Sequence, residues 1–152
     1  MLASNTLLPK ACTSHHLHKL GKIVINQEPA DRTWTVLVVE DFEDNRFMMK
    51  RLLEMSGYRV IEAVNGQEAV DLAGSEFPDV ILMDLSLPVL DGLTATRRIR
   101  ENAALRKVPI VAVSAHDTAD FHADALAAGC NEYMTKPIDF EQLEHLLGRL
   151  AG

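Results

Sequence analysis

Val80-Ile81-Leu82-Met83-Asp84-Leu85-Ser86-Leu87-Pro88 is the stretch that decides the fold. Its apolar run reads as a strand buried on both faces. An acid at the tip of such a strand is costly unless something there uses the charge. The arrangement recurs along the chain. Val36-Leu37-Val38-Val39 ends in Glu40-Asp41, Ile110-Val111-Ala112-Val113 is closed by Ser114, and Tyr133-Met134-Thr135 is closed by Lys136-Pro137. These strand ends together offer three carboxylates, one hydroxyl and one ammonium. In an open α/β sheet, ligand sites lie just beyond the carboxyl ends of the strands. The inventory suits a divalent cation and a phosphoryl group, with one carboxylate available as nucleophile.

Outward from that stretch, strands and helices alternate. A strand at Thr35–Val39 precedes a helix from about Glu43 to Met55, where Phe47, Met48, Leu52 and Met55 recur at spacings of three and four and predict an apolar face. Gly57 lies just past its end, as a helix stop should. Tyr58–Val64 reads as a second strand, and Asn65-Gly66 opens a short helix running to about Gly74, with Ala69, Val70 and Ala73 inward. Pro78 introduces the central strand, and Pro88 with Asp91-Gly92 punctuates the loop after it. A third helix spans Leu93–Arg100, Pro109 opens the fourth strand, and a fourth helix runs from Asp117 to Ala128, ended by Gly129. Tyr133–Thr135 is a short fifth strand. Asp139 is placed to cap a last helix carrying Leu143, Leu146, Leu147 and Leu150 on one face. Strand–helix five times over implies a parallel sheet with helices on both faces. Residues 1–34 show no periodicity and read as an N-terminal extension before a domain at 35–152, with no output domain after the last helix. His15, His16 and His18 in that extension lack the spacing and scaffold of a metal site and read as a solvated polar stretch.

The chain has 152 residues, enough for one domain with a real core. Its net charge is −7; residues 1–33 carry +2, so the remainder carries −9. An acidic domain is a poor nucleic-acid binder, because phosphate neutralisation drives that affinity, and it attracts cations. Two cysteines, Cys12 and Cys130, make neither a disulfide framework nor a zinc site, and Cys130 reads as a packed thiol. No segment has the length of a membrane span or the apolar stretch of a signal peptide. These features point to a cytoplasmic setting.

Residues 35–151 resemble a response-regulator receiver domain. The resemblance is carried by Val-Val-Glu-Asp at 38–41, Asn65-Gly66-Gln67-Glu68-Ala69, Ile-Leu-Met-Asp at 81–84, Pro88 with Asp91-Gly92, Val-Ser-Ala at 113–115, and Tyr133 with Lys136-Pro137. It implies a flavodoxin-like (βα)5 fold with a doubly wound sheet of five parallel strands in the order 2-1-3-4-5. By that resemblance Asp84 matches the phosphoacceptor, whose carboxylate attacks a phosphohistidine phosphorus to form an acyl phosphate. Glu40 and Asp41 match the acidic pair that, with Asp84 and the backbone carbonyl of Ser86, holds Mg²⁺ or Mn²⁺. Glu40 stands where the family often has aspartate, which suggests contact through water. Lys136 matches the lysine that pairs with Asp84 at rest and with a phosphoryl oxygen afterwards. A cis peptide is implied at Pro137. Ser114 matches the hydroxyl that bonds the phosphoryl group, and Tyr133 the aromatic that moves inward when it does. Ala115 leaves the approach to Asp84 open. Ser86 and His116 match positions that flank the hydrolytic water and tune phosphoryl lifetime, although His116 also reads as a plain solvent-facing histidine.

The resemblance further implies a phosphodonor, either a histidine kinase or a histidine phosphotransfer protein. It also implies a downstream protein partner, or a second copy of the chain, bound through the fourth helix, fifth strand and last helix. The leading expectation is a stand-alone switch that is not itself an enzyme. A phosphate sink is the alternative. An aspartyl phosphohydrolase would want an acid two residues after the nucleophile, where Ser86 stands. A flavodoxin-like electron carrier would need a phosphate-cradling Gly/Ser/Thr cluster and flanking aromatics. A constitutive pseudo-receiver would not need the complete set of acids, hydroxyl and lysine.

Overall fold

Five short strands carry the alternation that two-sided burial demands. In the computed structural model, which describes residues 32–152, they are β1 (Thr35–Val39), β2 (Arg59–Ala63), β3 (Val80–Asp84), β4 (Ile110–Ser114) and β5 (Glu132–Thr135). All pair in parallel, in the order β2-β1-β3-β4-β5, as the sequence predicts. Every residue of β3 and β4 is buried. Side chains alternate between two cores. Leu37, Val39, Ile81, Met83, Ile110 and Ala112 face one, and Val36, Val38, Val80, Leu82 and Val111 face the other.

Helices cover both faces. On the first lie α2 (Gly66–Glu76), α3 (Gly92–Glu101) and α4 (Ala119–Ala128), contributing Ala69 and Ala73, Ala95 and Ile99, and Ala125. On the second lie α1 (Glu43–Met55) and α5 (Phe140–Ala151), contributing Leu53 and then Leu143, Leu146 and Leu147. Full burial of such an aliphatic side chain stabilises by about 1.5–3 kcal/mol before conformational entropy is counted. Local signals set the ends. The Asn65 side chain accepts the Glu68 N–H and Asp139 accepts those of Glu141 and Gln142. Gly129 closes α4 with φ 116°, where a Cβ would be strained. Arg100 ties this layer together. It donates to the carbonyls of Gly129 (2.8 Å), Leu105 (2.9 Å) and Val108 (2.7 Å) and to Asn131 Oδ1 (2.7 Å), joining α3 to the end of α4 and the entry to β4.

Two expectations need correction, and one element was without a sequence signal. The predicted apolar face of α1 is turned outward: Phe47, Met48 and Met55 are 62%, 55% and 79% exposed, Leu52 is half-buried, and Leu53 with Met49 meets the core instead. The helix carries two apolar stripes, and β2 selects between them. Glu62 pairs with Arg46 at 3.3 Å and Lys50 at 3.1 Å, which rotates the Met49–Leu53 side toward the sheet. Helix α4 starts at Ala119 rather than Asp117, because the Asp117 carboxylate is engaged by His122 at 2.8 Å and Thr118 is extended. A short 3₁₀ turn at Ala103–Leu105 was not anticipated.

The expectations for residues 1–31, including the histidine cluster and Cys12, lie outside the described residues. From Trp34 to Gly152 the chain forms one unit.

Candidate functional site

The order 2-1-3-4-5 reverses direction between β1 and β3, which places a crevice at their carboxyl ends. Asp84 closes β3 there and is 4% exposed. Its Oδ2 accepts from Lys136 Nζ at 2.7 Å, and its Oδ1 accepts the Ser86 N–H at 2.9 Å. Glu40, the residue after β1, is 7% exposed. Its backbone N–H donates to Ala63 O, and its carboxylate accepts from Lys136 Nζ at 3.1 Å and from the Phe42 N–H at 3.3 Å. Arg46 donates to the Glu40 carbonyl at 3.1 Å. Asp41 is exposed.

One oxygen from each of Glu40, Asp41 and Asp84 lies within 4.8 Å of the others. Hard carboxylate oxygens at that separation fit Mg²⁺ or Mn²⁺, which retain water in the remaining positions. Lys136 sits between Glu40 and Asp84 and offsets part of their charge. Burial disfavours its ammonium, but the bonds to Asp84 and Glu40 outweigh burial and raise its pKa above the ordinary lysine value.

Lys136 reaches this point because β5 ends beside β4: its N–H donates to Ser114 O at 2.8 Å, and the Lys136–Pro137 peptide is cis. Ser114 is 2% exposed, and its Oγ accepts the His116 N–H at 3.1 Å. Ala115, Ser86 and His116 are exposed at the rim. The bond from Ser86 to Asp84 is made by its N–H. Tyr133 is half-buried one strand away and donates its hydroxyl to the His116 carbonyl.

The loop after Asp84 is closely gripped. A Cβ on Gly92 would collide with the Asp84 carbonyl and Leu85 Cα, and one on Gly66 would collide with the Leu90 carbonyl. At the loop tip the Leu90 N–H donates to Pro88 O at 2.7 Å around Val89, whose φ of 66° is strained for a β-branched residue. Beside the acids a cavity of about 410 Å³ opens between α1 and the segment after β5, walled by Met48, Met49, Leu52, Val113, Ile138 and Phe140.

The contacts of Asn45, whose side-chain amide donates to the Glu40 carboxylate at 3.4 Å, of Arg46, and of the Asp117–His122 pair escaped the sequence reading. Arg46 and Asn45 had a usable signal, a polar pair one helical turn after the acidic pair. Asp117 and His122 had only their (i, i+5) spacing, which places no contact on a helix.

The sequence pattern of the response regulator receiver domain family matches residues 36–148. The polar-differentiation response regulator DivK of Brucella ovis is 40% identical over 106 residues, 70% of this chain and 86% of that protein. Among solved structures, the receiver domain of the sensor histidine kinase PA1611 from Pseudomonas aeruginosa PAO1, with a magnesium ion coordinated in its active-site cleft, superposes with a TM-score of 0.74. It is 39% identical and covers 80% of this chain and 99% of that one. The receiver domain of Ssk1, crystallised with the Saccharomyces cerevisiae histidine phosphotransfer protein Ypd1, gives a TM-score of 0.74 at 32% identity over 78% of this chain and 89% of that one. With its strand order, its acid-and-lysine crevice and a match over most of its length, the chain belongs to the response regulator receiver domain family.

Proposed function

We propose that this receiver domain takes a phosphoryl group onto Asp84 from a phosphohistidine of a histidine kinase or a histidine phosphotransfer protein, and thereby changes its binding to a downstream partner. The observation that carries the reading is the buried Asp84 carboxylate held 2.7 Å from Lys136 beside two further acids. In the transfer an Asp84 oxygen forms the new O–P bond as the P–N bond to the donor imidazole breaks. The imidazole leaves with the electron pair and takes up a proton. The divalent ion, when held by Glu40, Asp41, Asp84 and the Ser86 carbonyl, neutralises charge on the phosphoryl oxygens. Lys136 supplies a second, compact positive charge. Ser114, already buried at the end of β4, is placed to donate its hydroxyl to a phosphoryl oxygen. Ala115 leaves the path open, while Ser86 and His116 at the rim meet the water that later hydrolyses the acyl phosphate.

Phe42, the residue after Asp41, and Met48, which lines the cavity beside the acids, are exposed. They suit an apolar helix surface around a phosphohistidine. The domain is a regulatory switch rather than an enzyme, and a cytoplasmic location is consistent with its cysteine usage. The test is intact mass after incubation of the full chain with a small phosphodonor and Mg²⁺. Wild type should gain one phosphoryl group and Asp84→Asn none; equal incorporation in both overturns the assignment.

A further inference from the structure

The most basic stretch of the domain lies on α3 and the turn after it. Residues 97–107 hold Arg97, Arg98, Arg100, Arg106 and Lys107 against Glu101 alone, a charge of +4, so the rest of residues 34–152 carries −13. That surplus of acid does not reach these cations. Arg46, Lys50, Lys136 and Arg149 each pair with a carboxylate, whereas among the described residues none of the five makes an ion pair. Arg100 spends its guanidinium on backbone carbonyls, Leu105 at 2.9 Å and Val108 at 2.7 Å, and so pins the turn that carries Arg106 and Lys107 against the end of α3. Arg97, Arg98, Arg106 and Lys107 are exposed, and Arg98 leans toward α2, donating to Gln67 Oε1 at 3.3 Å.

An aromatic ring stands beside this surface. The loops entering β3 and β4 run side by side, since the Ile81 N–H donates to Pro109 O at 2.9 Å. A Cβ on Gly74, near the end of α2, would come within 3.9 Å of Asn102 Nδ2. Phe77 closes α2 in that corner. It is 54% exposed and adopts φ 48° and ψ 64°, a left-handed conformation, directly before Pro78. Glycine closes a helix in this way without cost. Strained residues of this kind cluster at binding sites.

We propose that Phe77, Arg98, Arg106 and Lys107, with Arg97 at the margin, form a docking surface for a short acidic segment of a partner protein that carries an apolar side chain. The ring takes the apolar side chain and the cations take the carboxylates. Charge selects the size of the partner as well as its sign. In about 0.15 M salt, charges more than about 8 Å away are screened, so a short segment on the turn feels the local cations rather than the acidic remainder. A nucleic acid or an anionic membrane extends over more of the surface and meets that remainder. The acids at the rim are Glu76 and Glu101, both exposed. Asp79 is turned to β1, where its carboxylate accepts the Thr35 N–H at 2.7 Å. The surface lies at the amino end of β3, opposite Asp84, so a segment docked there leaves the crevice open. Docking is therefore independent of loading at Asp84 and of the phosphoacceptor reading.

The experiment is an anisotropy titration of a fluorescein-labelled peptide, glutamates flanking one central leucine, with the full chain in about 0.15 M salt. Arg106→Glu/Lys107→Glu should weaken binding roughly ten-fold or more. Arg51→Glu/Arg59→Glu makes the same change of charge at exposed positions on α1 and β2, and should weaken it less than about two-fold. Phe77→Gly removes the ring together with its backbone strain, so the thermal midpoint should hold or rise while binding falls roughly three-fold or more. Saturating Mg²⁺ and beryllofluoride, a mimic of the phosphoryl group on Asp84, should leave the affinity unchanged; a change overturns the independence from Asp84. No binding by wild type, or equal weakening by the two double variants, overturns the surface. Tighter binding of duplex DNA or phosphatidylserine vesicles, or self-association of the chain, lost in Arg106→Glu/Lys107→Glu, overturns the choice of an acidic protein segment in favour of that occupant.

Discussion

Lys136 and Asp84 meet at 2.7 Å across the carboxyl ends of β5 and β3, and the same ammonium lies 3.1 Å from Glu40. One cation thus occupies the space between two of the three acids that face the crevice. It offsets part of their charge and competes with any divalent ion that enters.

Lys136→Gln should therefore separate two effects. Removing the ammonium leaves the acids mutually repelling, so Mg²⁺ affinity should rise several-fold. Phosphoryl transfer to Asp84 should fall by about ten-fold or more, since a preorganised charge aimed at the transferring group is lost. Calorimetric Mg²⁺ titration reads the first effect; incorporation rate by intact mass reads the second. A variant that loses Mg²⁺ affinity would show that Lys136 supports the metal cradle rather than competing with it.

The glycines give a paired test of the loop that follows Asp84. Gly92→Ala would drive a methyl group into the Asp84 carbonyl, so it should destabilise by about 1–3 kcal/mol and weaken metal binding through the displaced acid. Gly148, in the middle of α5, has nothing within 4 Å of a built Cβ. Gly148→Ala should stabilise by up to about 1 kcal/mol through helix propensity alone. Chemical denaturation of both variants checks the contrast. Equal effects of the same sign would mean that the close approach at Gly92 relaxes freely.

The sheet and its site were legible for the same physical reason. Strands buried on both faces must be apolar runs, so any polar residue at their tips stands out. Asp84, Glu40, Ser114 and Lys136 each end such a run, and the structure brings them together. The helix rotations were not legible. Phe47, Met48 and Met55 make as good an apolar stripe as Met49 and Leu53, and the choice depends on Glu62, which lies on another strand. The stack of His122 on Tyr133 was hidden likewise, because the two rings meet only where α4 packs against β5.

Asp91 gives a prediction for acid stability. It caps α3: its Oδ1 accepts the Thr94 N–H at 2.9 Å and its Oδ2 accepts the Thr94 hydroxyl at 2.8 Å. The backbone bond from Thr94 is the main influence holding its carboxyl below the ordinary value of 3.8. A carboxyl whose pKa is depressed on folding stabilises the folded state fully above the unfolded value. That contribution fades as pH falls through the folded value, because the folded chain then must bind the proton it resisted. Wild type should therefore lose more stability than Asp91→Asn between about pH 6 and about pH 3, the range that spans this carboxyl. At neutral pH Asp91→Ala should cost about 1 kcal/mol, as loss of an N-cap does. Thermal unfolding of wild type and both variants across that range is the measurement. A wild-type curve parallel to that of Asp91→Asn would show that the cap works as well protonated as ionised, and that the acid sensitivity of the domain arises elsewhere.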